Sequence, residues 1–259
     1  MLSSPEKMIE TAKLLKEKSG GKARLVPGTD ELRKIYLGGR SEGWIKDGKL
    51  NIDPKMMEYV DLQKQLRDLG QDAGMQAWTP AWSAAIADET SFMFAIPTWG
   101  IPYIIAANDT ENKETGRWGV ANPPFSYSWG GTWYGLYSGA DQEKKQLAWE
   151  FIKFICTDTA FQESWAKSSG DFISNTEVIE KLANDATFES KTVKQNPYVI
   201  FKDAIPKING KILNQYDDSI EIAFRDAMET YFSGKKSKDD AMKDFKAKVK
   251  SNIKDIIVE

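Results

Sequence analysis

Ser128-Trp-Gly-Gly-Thr-Trp-Tyr-Gly-Leu-Tyr-Ser-Gly-Ala-Asp-Gln-Glu-Lys-Lys-Gln-Leu-Ala-Trp-Glu-Phe-Ile-Lys-Phe154 places a glycine turn, an aromatic run and a helix in that order. Gly130 and Gly131 allow backbone conformations and close approaches that a Cβ would forbid. Trp133 to Tyr137 reads as a strand of aromatic and aliphatic residues. Asp141 then opens a helix in which Leu147, Ala148, Phe151, Ile152 and Ile155 recur at helical spacing and form one apolar face. The single cysteine, Cys156, falls in this apolar pattern and reads as an inert core thiol. A strand running into an amphipathic helix belongs to an α/β chain.

Upstream, helices dominate. Ser4 and Pro5 start one, with Met8, Ile9, Ala12 and Leu15 on a stripe and Gly20-Gly21 at its end. Ala23 to Val26 reads as a short strand, Glu31 to Leu37 as a helix, and Gly43 to Gly48 as a turn or hairpin. Asp53 and Pro54 start a second strong helix closed by Gly70, and 81–88 a short one. Ser91 to Ile96 and Trp118 to Ala121 read as strands. Downstream, helices are expected over 157–167, 176–184, 214–233 and 236–254, the last capped by Ser237 with Asp240. Helices outnumber strands about two to one. A parallel sheet normally opens with a strand, so the chain reads as if it starts in the middle of a fold.

Six of nine tryptophans fall between residues 78 and 133, each flanked by Pro, Gly, Ser or Thr. Trp offers a flat apolar face and one N–H donor. Such faces at loop ends suit a ligand with flat C–H surfaces and hydroxyls, which is what a sugar ring presents. The alternative is ordinary burial, since Trp is highly buried on average.

Composition excludes several classes. With 35 basic and 38 acidic residues the net charge is −3, which argues against a nucleic-acid binder. The absence of histidine removes Ser-His-Asp and Cys-His hydrolases and the commonest metal ligand, and one cysteine excludes a multi-cysteine zinc site, so neither metal nor cofactor is expected. No run approaches the roughly 18 apolar residues of a membrane span. The lysine-rich helix at 236–254 reads as a solvated face. A glycoside hydrolase needs two carboxylates across a cleft. Asp88-Glu89, Asp171 and Asp217-Asp218 are available, but no motif sets a pair. Asp171, on the loop Ser169 to Ser174, serves either a turn or a sugar hydroxyl. Asp30 serves either a helix cap or a ligand.

In order, Tyr36-Leu-Gly-Gly-Arg40, Gly43-Trp44, Asp47 to Pro54, Phe92 to Trp99, Trp129 to Trp133, Lys145 to Phe154, Gln162 to Trp165 and Gly170 to Asn175 resemble the family 1 extracellular solute-binding proteins. These are the sugar-binding subunits of bacterial ABC importers. The resemblance covers nearly the whole chain and implies an α/β periplasmic-binding-protein-like fold of type II, helix-rich, with two lobes closing on a sugar. It implies a second lobe from 1–128 and 206–259, and a return segment of the first lobe over 129–205, most of the first lobe being absent. Trp99 is similar in position to a ring-stacking aromatic. Gly131, Thr132 and Trp133 would line the cleft, Thr29 and Asp30 would reach the ligand, and Asp171 would lie nearby. Trp129 would face the cleft and Trp82 would join it, whereas Trp118, Trp149 and Trp165 read as core.

The expected function is capture of a mono- or oligosaccharide and delivery to ABC permease subunits, without catalysis. The chain is expected to be a monomer, lipid-anchored on the extracellular face of the membrane or periplasmic, with no nucleic-acid partner. The alternatives are a glycoside hydrolase or carbohydrate-binding module using Asp171 and a second carboxylate, or the same fold serving a peptide, polyamine or anion.

Overall fold

A computed structural model describes residues 2–259. The chain divides into two compact units: Met1–Ala95 with Pro123–Tyr127 and Pro206–Glu259, and Ile96–Asn122 with Ser128–Ile205. In chain order the first unit runs α1 (Pro5–Lys18), β1 (Val26–Gly28), α2 (Asp30–Gly38), β2 (Ile45–Lys46), β3 (Lys49–Leu50), α3 (Pro54–Asp68), β4 (Asp72–Met75) and α4 (Pro80–Ala87). The second holds a π-helical turn (Ile101–Ile105), α5 (Ala106–Asn108), α6 (Gln142–Thr157), α7 (Thr159–Ser169), α8 (Thr176–Ala183) and α9 (Pro197–Ala204). The chain then returns to the first unit with α10 (Asp217–Phe232) and α11 (Lys238–Asn252).

The helix starts follow local chemistry. The Ser4, Asp53 and Ser237 side chains accept the backbone N–H of Lys7, Lys55 and Asp240, and Pro occupies the first position of α1 and α3. The expected hairpin forms from β2 and β3 across Asp47-Gly48, both at positive φ. β1 and β4 pair in parallel, and α3 between them makes the crossover. The first unit's core gathers Met8, Leu25, Tyr36, Trp44, Met56, Tyr59, Phe224 and Phe245. Trp44 lies 5.1 Å from Phe224, which meets Phe245 edge-on at 5.2 Å. Burying one such ring contributes on the order of 3 kcal/mol. Gly38 and Gly39 do more than stop α2. A Cβ on Gly38 would sit 2.2 Å from the Ser126 carbonyl oxygen, and one on Gly39 would sit 2.5 Å from the Phe125 ring. Those two glycines let the segment 123–127 lie against the end of the helix.

The structure differs from the sequence reading in several elements. Residues 96–122 fall in one compact unit with 128–205, within which Val120 N–H donates to the Gln195 side chain and the Tyr103 hydroxyl to Asp171. The expected strand at Ala23–Val26 begins three residues later, and only Arg24 bridges to Ser91. Ser91–Ile96 runs beside it through Phe92 and Met93 N–H bonds to Arg24 and Leu25 carbonyls, without becoming a regular strand. Trp118–Ala121 and Trp133–Tyr137 form no strand among the described residues. A strand needs a partner, and the residue pattern alone carries no information about one.

A further difference lies in α6. The helix forms where expected, capped by Asp141, yet none of its residues is buried. Leu147 is 73% exposed, Phe151 and Phe154 are exposed, and Cys156 is half-buried rather than core. Trp149 and Trp165 are exposed and Trp118 is half-buried, so none of these three is the core residue expected. The second unit's core is small: Ala166, Ile173, Val178, Ile179, Leu182 and Tyr198. Among the described residues no helix is long and apolar enough to cross a membrane.

Candidate functional site

In the first unit, expected residues meet where two loops leave the carboxyl ends of β1 and β4, the edge at which open α/β sheets bind ligands. After β1, Thr29 occupies the N-cap of α2 without a side-chain cap, and its carbonyl accepts the Tyr59 hydroxyl at 3.2 Å. Asp30 opens the helix. One carboxylate oxygen takes the Arg33 guanidinium at 2.5 Å and the other the Ala77 N–H at 3.2 Å. Burial pushes this carboxyl up, but Arg33 and the Ala77 N–H outweigh it and hold it below its ordinary value. Asp30 is therefore neither the expected helix cap nor an exposed sugar acceptor; it ties the β4 loop to α2.

Trp82 belongs to the same construction. It is 1% exposed, and its indole N–H donates to Glu31 at 2.7 Å. Its face is closed to any ligand, which corrects the stacking role expected of it. Glu31 is fully buried, and its second oxygen has no hydrogen-bond partner. Burial pushes its carboxyl up to about 8, with the Trp82 N–H offsetting part of the rise. Glu31 is thus a neutral acid at pH 7. Trp78 takes the surface position instead. It is 53% exposed, its ring centroid lies 5.4 Å from that of Trp82, and its backbone sits at φ 70°. Such a φ costs a bulky residue on the order of 1–2 kcal/mol and persists only where the surroundings enforce it.

The second unit holds the other expected residues. Gly170 ends α7 at φ 76° and turns the chain into Asp171. One Asp171 carboxylate oxygen accepts from the Tyr103 hydroxyl at 3.1 Å and the Trp165 indole N–H at 3.0 Å. Buried Tyr198 donates to the Asp171 carbonyl at 2.5 Å and fixes the loop. Tyr103 is 52% and Trp165 45% exposed. Desolvation, then the adjoining Asp171 carboxylate, raises the Tyr103 hydroxyl above its ordinary value, so it stays a proton donor. The result is a carboxylate oxygen shared by two aromatic side chains that stay about half exposed, Trp165 with Phe161 stacked 6.3 Å from its ring. Sequence reasoning missed Tyr103 and Trp165. The available signal was spacing: Tyr103 falls one helical turn after Trp99, and its N–H donates to the Trp99 carbonyl at 3.3 Å.

Trp99 itself is half-buried at the start of the π-helical turn, and Trp129 is half-buried as well. Gly131, Thr132 and Trp133 are exposed, Trp133 at 81%. The Trp133 ring folds over Gly131, where a Cβ would meet it at 3.2 Å, so this glycine makes room for an indole of its own chain. Asp109 collects the Trp118 N–H at 2.9 Å and the Arg117 guanidinium at 3.1 Å. Among the described residues, no group of three or more acidic or cysteine side chains could hold a metal ion.

These features define an α/β, helix-rich fold of the periplasmic-binding-protein-like kind. The family described as bacterial extracellular solute-binding protein matches residues 14–199, and the chain belongs to it. No curated protein matches the sequence. Among solved structures, one described as extracellular solute-binding protein family 1 has a TM-score of 0.75 at 18% identity, over 96% of this chain and 64% of its own. The ABC transporter associated binding protein from B. animalis subsp. lactis Bl-04, in complex with β-1,6-galactobiose, has a TM-score of 0.67 at 14% identity, over 98% and 66%. A Streptococcus pneumoniae solute-binding protein in complex with the blood group A-trisaccharide has a TM-score of 0.58 at 17% identity, over 97% and 64%. The chain thus spans just under two thirds of each of these structures. The family and these neighbours are binding proteins.

Proposed function

We propose that this chain captures a neutral carbohydrate by equilibrium binding and serves an ABC importer, on the outer face of the membrane or in the periplasm. The observation that carries the reading is Asp171, whose carboxylate accepts from Tyr103 and Trp165 while both aromatic side chains stay about half exposed. A pyranose offers C–H faces to such rings and hydroxyls to such a carboxylate. Two of the similar structures carry a disaccharide and a trisaccharide in their descriptions. Trp99, Trp129, Trp133, Gly131 and Thr132 supply further aromatic and backbone contacts in the same unit, with Trp99 stacking on a ring. Thr29 and Asp30 shape the first unit's loop rather than touch sugar. The first unit, with residues 206–259, corresponds to one lobe of the family. Delivery to permease subunits, a lipid anchor and action as a monomer belong to the same proposal.

The test is calorimetric. Trp99→Ala and Asp171→Ala should each weaken the best oligosaccharide ligand more than tenfold, about 1.4 kcal/mol. Unchanged affinity in both variants refutes the site.

A further inference from the structure

Among the described residues, four asparagines fold their side chains back in the same way. Asn175, Asn196, Asn209 and Asn214 each accept the backbone N–H two residues on, from Glu177 at 3.0 Å, Tyr198 at 3.0 Å, Lys211 at 3.2 Å and Tyr216 at 2.8 Å. That bond closes a ring containing the backbone nitrogen of the intervening residue, so it keeps the side-chain amide carbon beside that nitrogen. What differs is the intervening residue: Thr176, Pro197, Gly210 and Gln215. Pro197 has no N–H to lose. Thr176 is β-branched and opens α8, where the helix holds the backbone. Gln215 carries a side chain, and Asn214 is half-buried. At Asn209 neither bulk nor burial intervenes. Asn209, Gly210 and Lys211 are all exposed, a Cβ on Gly210 would meet nothing within 4 Å, and the regular structure there is a 3-10 turn of three residues, Gly210–Ile212.

These contacts set up an attack of the chain on itself. With its proton lost to hydroxide, the Gly210 nitrogen adds to the Asn209 amide carbon and forms a new C–N bond. The carbonyl oxygen takes up the negative charge, and the Lys211 N–H is already aimed at that oxygen. Collapse breaks the bond to the side-chain nitrogen, which takes a proton from water and leaves as ammonia. Water then adds to either carbonyl of the five-membered imide. Opening at one carbonyl yields aspartate; opening at the other yields isoaspartate, whose main chain is longer by one carbon. In sum one water is consumed and one ammonia released, with no change of oxidation state. The change falls three residues before Ile212, whose carbonyl oxygen rests so close to Gly43 that a Cβ there would stand 2.2 Å away.

We propose that Asn209-Gly210 is a self-modification site, at which the chain converts its own asparagine to aspartate and isoaspartate. The reaction needs only water and is independent of what the chain binds. Gly210→Ala tests it without disturbing the fold, because the added methyl has open space and the backbone there is not at positive φ. Native wild type and the variant are incubated at pH 6 and at pH 9 and then digested. Each asparagine is followed by peptide mass spectrometry, with isoaspartate marked by an isoaspartyl methyltransferase. The other three asparagines serve as controls within the same molecule. In wild type, Asn209 should convert at least tenfold faster than Asn175 and Asn214, with Asn196 unchanged. The rate should be higher at pH 9 than at pH 6, and isoaspartate should be among the products. Gly210→Ala should slow conversion at Asn209 at least tenfold. Conversion of Asn209 no faster than that of Asn214, equal rates at the two pH values, or conversion in Gly210→Ala within twofold of wild type overturns the site.

Discussion

Replacing Glu31 with glutamine should change how the stability of the first unit depends on pH. In the unfolded chain this carboxyl ionises near its ordinary value of 4.5, and in the native state burial raises it to about 8. Between those values the unfolded state binds fewer protons than the native state, so stability falls as pH rises. The loss begins near pH 4.5, is complete near pH 8 and does not grow beyond. At roughly 1.4 kcal/mol per pH unit, that interval corresponds to a cost of about 5 kcal/mol at full extent. The introduced amide cannot ionise, and its oxygen can still accept the Trp82 N–H now received by Glu31. Its N–H groups inherit a site where the second carboxyl oxygen has no partner, a fixed penalty of about 1–3 kcal/mol that does not vary with pH. The assay is urea unfolding of wild type and Glu31→Gln from pH 5 to pH 9, read as the difference between them at each pH. The variant should be the less stable at pH 5 and should gain on wild type by several kcal/mol up to pH 8, then level off. A difference constant within about 0.5 kcal/mol across the range refutes the buried neutral acid.

Two further substitutions test the packing. Gly38→Ala would ordinarily stabilise a helix by about 0.5–1 kcal/mol. Here its Cβ would meet the Ser126 carbonyl oxygen at 2.2 Å, so a loss of about 1–3 kcal/mol is expected in denaturant unfolding, and a gain would contradict the close approach. Phe151→Ala would cost about 3–5 kcal/mol at a core position. On the exposed face of α6 it should change stability by less than about 0.5 kcal/mol, and a loss above about 2 kcal/mol would show that the face is covered in this chain.

The helices were legible because their signals are local. Ser4-Pro5, Asp53-Pro54 and Ser237 are capping chemistry, readable without knowing the fold. The hairpin at Asp47-Gly48 was legible for the same reason. The strands at 118–121 and 133–137 were not, because a strand exists only beside a partner, and the aromatic pattern of Trp133–Tyr137 is the same with or without one. The apolar face of α6 was readable as a pattern, but whether anything covers it is a property of the rest of the chain.

The site was legible to a similar depth. The tryptophan run pointed to the loops between residues 78 and 133 as candidates, and the family resemblance matched the family that the chain belongs to. It did not separate Trp78 from Trp82, because the distinction depends on Glu31, which is 51 residues away in sequence and within hydrogen-bond reach in the fold. Nor did it find Tyr103 and Trp165: Tyr103 meets Asp171 from 68 residues away, and Trp165 meets it only through the turn that Gly170 makes at the end of α7.

The central claim is that this chain binds carbohydrate without transforming it. The most direct measurement is calorimetric titration of the wild-type chain with neutral oligosaccharides, followed by chromatography of the sugar after prolonged incubation. Saturable one-to-one binding of at least one oligosaccharide, recovered intact, is the predicted result. Release of shorter sugars, or no binding by any of them, would contradict it.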